Sequence, residues 1–217
     1  MEASAADKTT GSRTVADLLE RAVERNPDLV AVRFKRDGEW HDVKLAEVGD
    51  ITSEIGRGLI ALGVEQGDRV SILCNTRPEW TYADFGITRA GGVVVPIYPT
   101  NSPEECEWVA GNSESVAIVC EDASQVAKIV EVRERLPHLR HIIVIDPAGD
   151  TADAISLADL RAKGAAVDPA DLQARTDAVK PEDPFTFIYT SGTTGPPKGC
   201  VLSHRNYRSV LTMCATL

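Results

Sequence analysis

The sequence has few of the features that mark metal-binding, secreted or membrane-spanning chains. Its five cysteines form no Cys-x-x-Cys pair, so neither a zinc site nor a thioredoxin-like redox pair is indicated. No apolar run approaches the roughly 20 residues of a membrane span, and residues 1–11 lack the apolar stretch of a secretory signal. We therefore predict no transmembrane segment, no metal held directly by protein ligands, and a reducing, cytoplasmic environment with buried thiols at Cys74 and Cys120. Peripheral contact with a membrane stays open.

Basic side chains are the minority among the charged residues. The chain has 23 Lys and Arg against 33 Asp and Glu, for a formal net charge of -10. An acidic surface repels polyanions, so we predict that nucleic acid is not a partner. Hydrophobic residues make up 43% of the 217 residues, which is enough to build a core in one large or two small domains.

Short apolar segments alternate with amphipathic ones through the middle of the chain. We predict strands at residues 69–74, 92–97, 116–120, 141–145 and 185–190. The helices predicted between them cover residues 78–90, 103–111 and 123–136. Because continuous apolar strands that alternate with helices are typical of α/β proteins, the sequence predicts a mostly parallel sheet with helices on both faces.

The two ends of this pattern are less regular. Before it, we predict a helix at residues 14–25 that is capped by Thr14. A hairpin at residues 29–43, with its turn at Asp37-Gly38, and a second helix at residues 45–62 follow. Residues 147–184 are rich in Ala, Asp and Pro with weak periodicity. There we predict one short helix, around residues 157–163, within a surface connection.

Residues 185–217 contain no Asp or Glu, and they include the segment of the chain that most strongly indicates a ligand site. The last predicted strand runs into the sequence Tyr189-Thr190-Ser191-Gly192-Thr193-Thr194-Gly195-Pro196-Pro197-Lys198-Gly199. Glycines let the backbone approach a ligand closely, hydroxyls and N–H groups donate to phosphate oxygens, and Lys198 supplies a positive charge. A Walker A loop is excluded, because Lys198 stands between Pro197 and Gly199. We predict that this segment is a phosphate-binding loop, and that it is poorly ordered when no nucleotide is bound. The alternative is a flexible surface loop that binds no ligand.

This segment resembles the phosphate-binding signature of the adenylate-forming superfamily, which includes acyl-CoA synthetases, luciferases and peptide-synthetase adenylation domains. Residues 201–206 are similar to the strand and helix start that follow the signature in that family. Residues 67–70 and 95–100 resemble upstream landmarks, and the form Pro-Ile-Tyr-Pro-Thr is most similar to the long-chain fatty acyl-CoA synthetase branch. The resemblance covers roughly residues 14–217 and implies the first α/β subdomain of the N-terminal domain of such an enzyme.

The resemblance also implies how the chain is organised. We expect residues 1–13 to be a disordered tail and residues 14–217 to be the N-terminal part of an adenylation domain, truncated before the rest of the enzyme. Complete members of the family carry later motifs that this sequence lacks, among them a Tyr-Gly-x-Thr-Glu element, a ribose-binding aspartate, a hinge and a C-terminal catalytic lysine. We therefore expect no catalytic residue within this chain, and a fragment that is inactive alone.

The activity implied by the resemblance is ATP-dependent formation of an acyl-adenylate and then an acyl-CoA. Its small-molecule partners would be a fatty acid, ATP, Mg²⁺ and coenzyme A. The residues that match the ATP-phosphate site are Tyr189, Thr190, Ser191, Gly192, Thr193, Thr194, Gly195, Lys198 and Gly199. Two roles stay open for His204, a position at the acyl site or the first turn of a helix capped by Ser203. Two other functions also stay open: a non-catalytic fold unit that binds phosphate weakly at most, and an acyl-AMP ligase that feeds a carrier protein.

Overall fold

The computed structural model describes residues 11–190 and 195–214. Within them the elements, in chain order, are α1 (Leu18–Arg25), β1 (Val30–Arg36), β2 (Glu39–Lys44), α2 (Leu45–Ala61), β3 (Arg69–Leu73), α3 (Pro78–Arg89), β4 (Val93–Ile97), α4 (Pro103–Asn112), β5 (Ala117–Cys120), α5 (Ala123–Val132), a 3-10 turn (Arg133–Arg135), β6 (His141–Val144), β7 (Ile155–Ser156), α6 (Leu157–Gly164), α7 (Pro169–Ala178), β8 (Pro184–Thr190), β9 (Lys198–Ser203) and α8 (His204–Cys214). In these ranges, no helix is both long enough and apolar enough to cross a membrane.

Seven strands form one sheet in the order β7-β6-β5-β3-β4-β8-β9. Neighbouring strands are parallel from β7 to β8, and only the outermost strand, β9, is antiparallel to its neighbour. The predicted fold class, a mostly parallel α/β sheet, is confirmed. The carboxyl ends of β3, β4, β5, β6 and β8 therefore meet at a single edge, which is the edge where open α/β sheets bind ligands.

Helices cover both faces of this sheet, because successive side chains of a strand point to opposite faces. Ile72 and Val119 pack into a core against α2, α3 and α6. Leu73 and Ile118, each one residue away along its strand, pack into a second core against α4 and α5. This two-sided burial explains why these strands read as continuous apolar runs rather than as alternating patterns.

The connection between β6 and β8 contains more structure than the sequence predicts. The short helix predicted around residues 157–163 is confirmed as α6. The rest was predicted as irregular connection, which is wrong. β7 adds an outermost strand beside β6, and α7 adds a helix. Asp168 caps α7 by accepting a hydrogen bond from the Ala170 N–H, and Leu172 and Thr176 are the buried residues of the helix. Two buried positions among Ala, Asp and Gln give too weak a period to detect in the sequence.

The first helix begins later than predicted. The prediction placed its start at Thr14, but α1 begins at Leu18. The N–H and hydroxyl of Thr14 both donate to Asp17 Oδ1, at 2.9 and 3.1 Å, so they form a turn that precedes the helix. The predicted tail of residues 1–13 lies mostly outside the described residues, and of its remainder Ser12 is only 7% exposed.

The predicted hairpin is confirmed as the antiparallel pair β1–β2. Both turn residues have positive φ, 51° at Asp37 and 85° at Gly38. Asp and Gly are the residues that reach this region at least cost, and a two-residue turn of this kind fits the right-handed twist of the flanking strands. The hairpin forms its own two-stranded sheet beside the main one.

The predicted burial of Cys74 and Cys120 is confirmed, and Cys106 is buried as well. Burial raises the pKa of the Cys74 thiol to about 12 and that of Cys106 to about 11. Because a thiol with such a pKa stays protonated near neutral pH, these cysteines are packing residues rather than nucleophiles. Cys200 is exposed and free.

Candidate phosphate-binding site

Strand β8 delivers the glycine- and hydroxyl-rich segment to the carboxyl edge of the sheet. Tyr189 and Thr190 are its last two residues, and β9 returns antiparallel with Thr190 opposite Lys198 and Tyr189 opposite Gly199. The segment is therefore the loop of a hairpin whose two stems meet at the ligand edge. Residues 191–194 lie outside the described residues, and so do the four phosphate ligands predicted there, together with the expectation that the loop is poorly ordered without nucleotide.

Two glycines of the segment occupy positions that suit glycine. Gly195 has a φ of 89°, in the left-handed region that other residues enter only at a cost. Gly199 lies against Tyr189, since a Cβ added to it would stand 3.0 Å from Cζ of the tyrosine ring. The first glycine turns the loop and the second lets the two stems approach closely.

Tyr189 anchors the first stem to the neighbouring helix. Its side chain is 9% exposed, and its hydroxyl donates to Asn112 Oδ1 at the end of α4, at 2.7 Å. Burial raises the pKa of this phenol, so the hydroxyl keeps its proton and remains a donor. The second stem has an anchor on the same helix, where Trp108 Nε1 donates to the Pro197 carbonyl at 2.9 Å.

Lys198 is the one cationic side chain of the segment. It is the first residue of β9 and is exposed at the ligand edge. Among the residues that the structure describes, no carboxylate lies within ion-pair distance of its ammonium group. An exposed lysine without a counter-ion, beside a loop rich in hydroxyls, can accept an anionic ligand without first breaking an ion pair.

Two cavities flank the base of the loop. One, of about 360 Å³, is lined by Asn101, Glu105, Thr190 and Pro197 among others. The other, of about 300 Å³, is more apolar and is lined by Cys74, Trp80, Ile97 and Ile188 among others. Pro96, Ile97, Tyr98 and Tyr189 border both. The upstream landmark at residues 95–100 thus lies beside the loop, at the carboxyl end of β4.

His204 does not lie with the other predicted site residues. Strand β9 runs away from the ligand edge, and its last residue, Ser203, pairs with Pro184 at the start of β8. Six residues of strand separate His204 from the loop by roughly 20 Å. Its side chain is 2% exposed, and Nδ1 accepts the Val15 N–H at 3.2 Å. Burial lowers the pKa of His204 to about 4.

The helix-start role that the sequence left open for His204 matches these contacts. His204 is the first residue of α8, and Ser203 Oγ accepts the Asn206 N–H at 3.2 Å, which is the hydrogen bond of a helix cap. A cavity of about 630 Å³ at this amino edge has His204 in its wall. A role for His204 at the acyl site stays a prediction.

In the described ranges, no three His, Cys, Asp or Glu side chains come close enough together to hold a metal ion.

Trp108 and Asn112 are the site residues that sequence reasoning missed. They are four apart in α4, so they share one helix face, but only the fold shows that this face meets the loop.

A parallel sheet that presents a lysine-bearing, hydroxyl-rich hairpin loop at its carboxyl edge matches the arrangement expected of an adenylate-forming enzyme. Residues 19–217 match the AMP-binding enzyme family, and the chain belongs to that family. The resemblance drawn from the loop is therefore confirmed.

The relatives include long-chain fatty-acid ligases. The chain is 44% identical to the long-chain-fatty-acid–CoA ligase FadD15 of Mycobacterium tuberculosis over 181 residues, which cover 83% of this chain and 30% of FadD15. It is 32% identical to the long-chain-fatty-acid–CoA ligase ACSBG1 of Homo sapiens over 195 residues, 89% of this chain and 27% of ACSBG1. The chain thus spans less than a third of the length of these relatives.

Solved structures show the same fold. MbtA of Mycobacterium smegmatis is 28% identical, with a TM-score of 0.76 over 89% of this chain and 34% of MbtA. The anthranilate CoA ligase AuaEII, solved with anthranoyl-AMP, is 26% identical, with a TM-score of 0.74 over 91% of this chain and 36% of AuaEII.

Proposed function

We propose that this chain carries the ATP-phosphate site of an AMP-forming fatty-acid–CoA ligase that activates long-chain fatty acids. The observation that carries the proposal is the position of Lys198, exposed and without a carboxylate partner among the described residues, at the ligand edge of the sheet. The substrate class rests on the 44% identity to FadD15, a long-chain-fatty-acid–CoA ligase. The structure of AuaEII with an acyl-adenylate supports the reaction type.

The reaction has two steps. In the first, a carboxylate oxygen of the fatty acid attacks the α-phosphorus of ATP, the bond from that phosphorus to the β-bridging oxygen breaks, and pyrophosphate leaves. In the second, the thiolate of coenzyme A attacks the acyl carbonyl carbon, and AMP leaves with the bonding electrons. Negative charge accumulates on the leaving pyrophosphate in the first step, so groups that stabilise this charge accelerate adenylation.

We assign that stabilisation to the loop. Lys198 neutralises charge on the β- and γ-phosphates, and the hydroxyls and N–H groups of Thr190, residues 191–194, Gly195 and Gly199 donate to their oxygens. A hydrogen bond to a charged group contributes about 1.5–3 kcal/mol. Several such bonds at one sheet edge would account for a large part of the nucleotide affinity.

Magnesium enters this proposal together with ATP. Mg²⁺ keeps several waters and is commonly bound through substrate phosphates with one or two carboxylates, so it requires no dedicated cluster from this chain. Its chemistry would be to neutralise phosphate charge alongside Lys198.

We further propose that the 217-residue chain does not make acyl-CoA alone. It spans 30% of FadD15, and in-line positioning of ATP and carboxylate can contribute about 7–11 kcal/mol to such a reaction. A site that holds only phosphates forfeits most of that contribution. A cytoplasmic location is also part of the proposal, and it is supported by four cysteines that are free among the described residues.

The test compares this chain with a chimera in which it replaces the matching segment of FadD15. Both are assayed for ATP–pyrophosphate exchange with acetate, octanoate and palmitate, and then for acyl-CoA formation after coenzyme A is added. We expect the chimera to exchange best with palmitate and to form palmitoyl-CoA, and the 217-residue chain to show no exchange above background.

Intact FadD15 is the activity control, and circular dichroism with size-exclusion chromatography verifies that the chimera is folded. A folded chimera without exchange would contradict the assignment of the phosphate site. Exchange without transfer to coenzyme A would mean that this chain supports adenylation but not the second step, since the rest of the chimera comes from a CoA ligase. Strong exchange by the 217-residue chain would contradict its proposed inactivity.

A further inference from the structure

Helix α4 contacts the loop through two side chains on one face. Trp108 Nε1 donates to the carbonyl of Pro197 at 2.9 Å, and Asn112 Oδ1 accepts from the Tyr189 hydroxyl at 2.7 Å. Because Trp108 and Asn112 are four residues apart in a helix, they project from the same face. One rigid element thus fixes both stems of the hairpin.

The two contacts converge on Lys198. Pro197 is the residue directly before it, and Gly199 is the residue directly after it. Gly199 is held close to the ring of Tyr189, where an added Cβ would stand 3.0 Å from Cζ. The backbone on each side of Lys198 is therefore tied to α4, on one side by Trp108 and on the other by Asn112 acting through Tyr189.

The environment of Trp108 indicates that the core does not require this side chain. It is 39% exposed, whereas the residues of α4 that fill the core, Cys106, Val109 and Ala110, are at most 2% exposed. Its indole N–H bonds a carbonyl that lies 89 residues further along the chain. A half-exposed tryptophan whose polar atom joins a loop to a helix orders the loop more than it stabilises the core.

We propose that Trp108 and Asn112 are positioning residues that hold Lys198 at the phosphates; this rests on the proposed function of the loop. A lysine side chain has several rotatable bonds, so the placement of its backbone limits where the ammonium can reach. When the backbone is fixed before the ligand arrives, less conformational entropy is lost on binding. The tie to α4 therefore raises the affinity for the phosphate part of ATP without any contact to it.

The experiment measures pyrophosphate binding to the 217-residue chain by isothermal titration calorimetry in magnesium chloride. The variants are Trp108→Phe, which keeps an aromatic ring and removes the N–H, and Asn112→Ala. Trp40→Phe is the matched control, because Trp40 is 67% exposed on β2, away from the loop. Since a single hydrogen bond is removed, we expect each of the first two variants to bind pyrophosphate about threefold to tenfold more weakly, and Trp40→Phe to bind as the parent does.

A second readout separates positioning from general stability. We expect amide hydrogen exchange at Lys198 and Gly199 to accelerate in Trp108→Phe without ligand, while the urea midpoint of the whole chain stays within error of the parent. Unchanged pyrophosphate affinity in both variants, or a lower urea midpoint with unchanged local exchange, would overturn the positioning role.

Lys198→Ala shows which of the two proposals has failed. If it weakens pyrophosphate binding and neither Trp108→Phe nor Asn112→Ala does, the positioning role is wrong and the phosphate loop stands. If the parent chain binds no pyrophosphate, or Lys198→Ala binds as tightly as the parent, the phosphate loop and the positioning role are both wrong.

Discussion

Replacing Gly164 with alanine is expected to lower the free energy of unfolding by about 3 kcal/mol, at the upper end of what overpacking usually costs. Gly164 ends α6 where that helix crosses α2 at close range. An added Cβ would lie 2.1 Å from the Glu54 carbonyl oxygen and 2.7 Å from the Gly58 nitrogen. Both are backbone atoms of α2, so relief requires the two helices to separate. Urea denaturation followed by circular dichroism measures the change.

Gly111→Ala is the control for this substitution, since it also adds a methyl group to a helical glycine. At Gly111, within α4, the nearest atom to an added Cβ is Leu136 Cδ2 at 3.4 Å, an ordinary contact. Alanine loses less backbone entropy on folding than glycine, so this variant should be neutral or more stable by up to about 1 kcal/mol. Equal urea midpoints for Gly164→Ala and the parent would show that α2 and α6 do not cross as closely as described.

The stability of the chain is expected to fall between pH 7 and pH 5 because of His204. Burial lowers the pKa of this histidine from 6.5 to about 4, although Asp183 and Asp17 act in the opposite direction. Above pH 6.5 the ring is neutral in both folded and unfolded chains and contributes no pH dependence. As the pH falls through 6.5, His204 binds a proton in the unfolded chain but not in the folded chain, so unfolding becomes more favourable. The loss from this group amounts to about 2 kcal/mol by pH 5.

His204→Asn is the variant that isolates this effect. The asparagine carbonyl can accept the Val15 N–H, as Nδ1 of His204 does at 3.2 Å, but it does not titrate. Urea denaturation at pH 7, 6 and 5 should show a smaller loss of stability in the variant than in the parent, by about 2 kcal/mol. Parallel losses in the two proteins would mean that His204 is solvated rather than buried.

Much of the fold could be predicted because its core strands are short, apolar and separated by regular helices. Strands such as β5, which is buried along its whole length, consist only of apolar residues, and this pattern predicts a sheet covered by helices on both faces. Helix α7 could not be found in this way, because it buries only Leu172 and Thr176. Its position depends on tertiary packing, for example on the Thr176 hydroxyl that donates to the Arg89 carbonyl at 2.9 Å.

The position of the glycine- and hydroxyl-rich segment at the end of β8 could be predicted, whereas its supports on α4 could not. Gly195, Lys198 and their neighbours lie within one short segment, so the sequence alone is enough to predict a phosphate site there, and that role stays a prediction. Trp108 is 89 residues from the carbonyl that it contacts, and nothing in the sequence pairs the two. His204 is the reverse case. It is close to the loop in sequence, but it lies at the amino edge of the sheet, away from the loop.

The most direct measurement is the rate of ATP–pyrophosphate exchange with palmitate in the FadD15 chimera carrying Lys198→Ala. Lys180→Ala is the control, because Lys180 is exposed and precedes β8 at the opposite edge of the sheet. We expect exchange to fall about tenfold to a hundredfold in Lys198→Ala, as the loss of a charge-assisted hydrogen bond implies. Palmitate binding should change less, and Lys180→Ala should match the chimera. Unchanged exchange in the Lys198 variant would contradict the assignment of this loop to the phosphates of ATP.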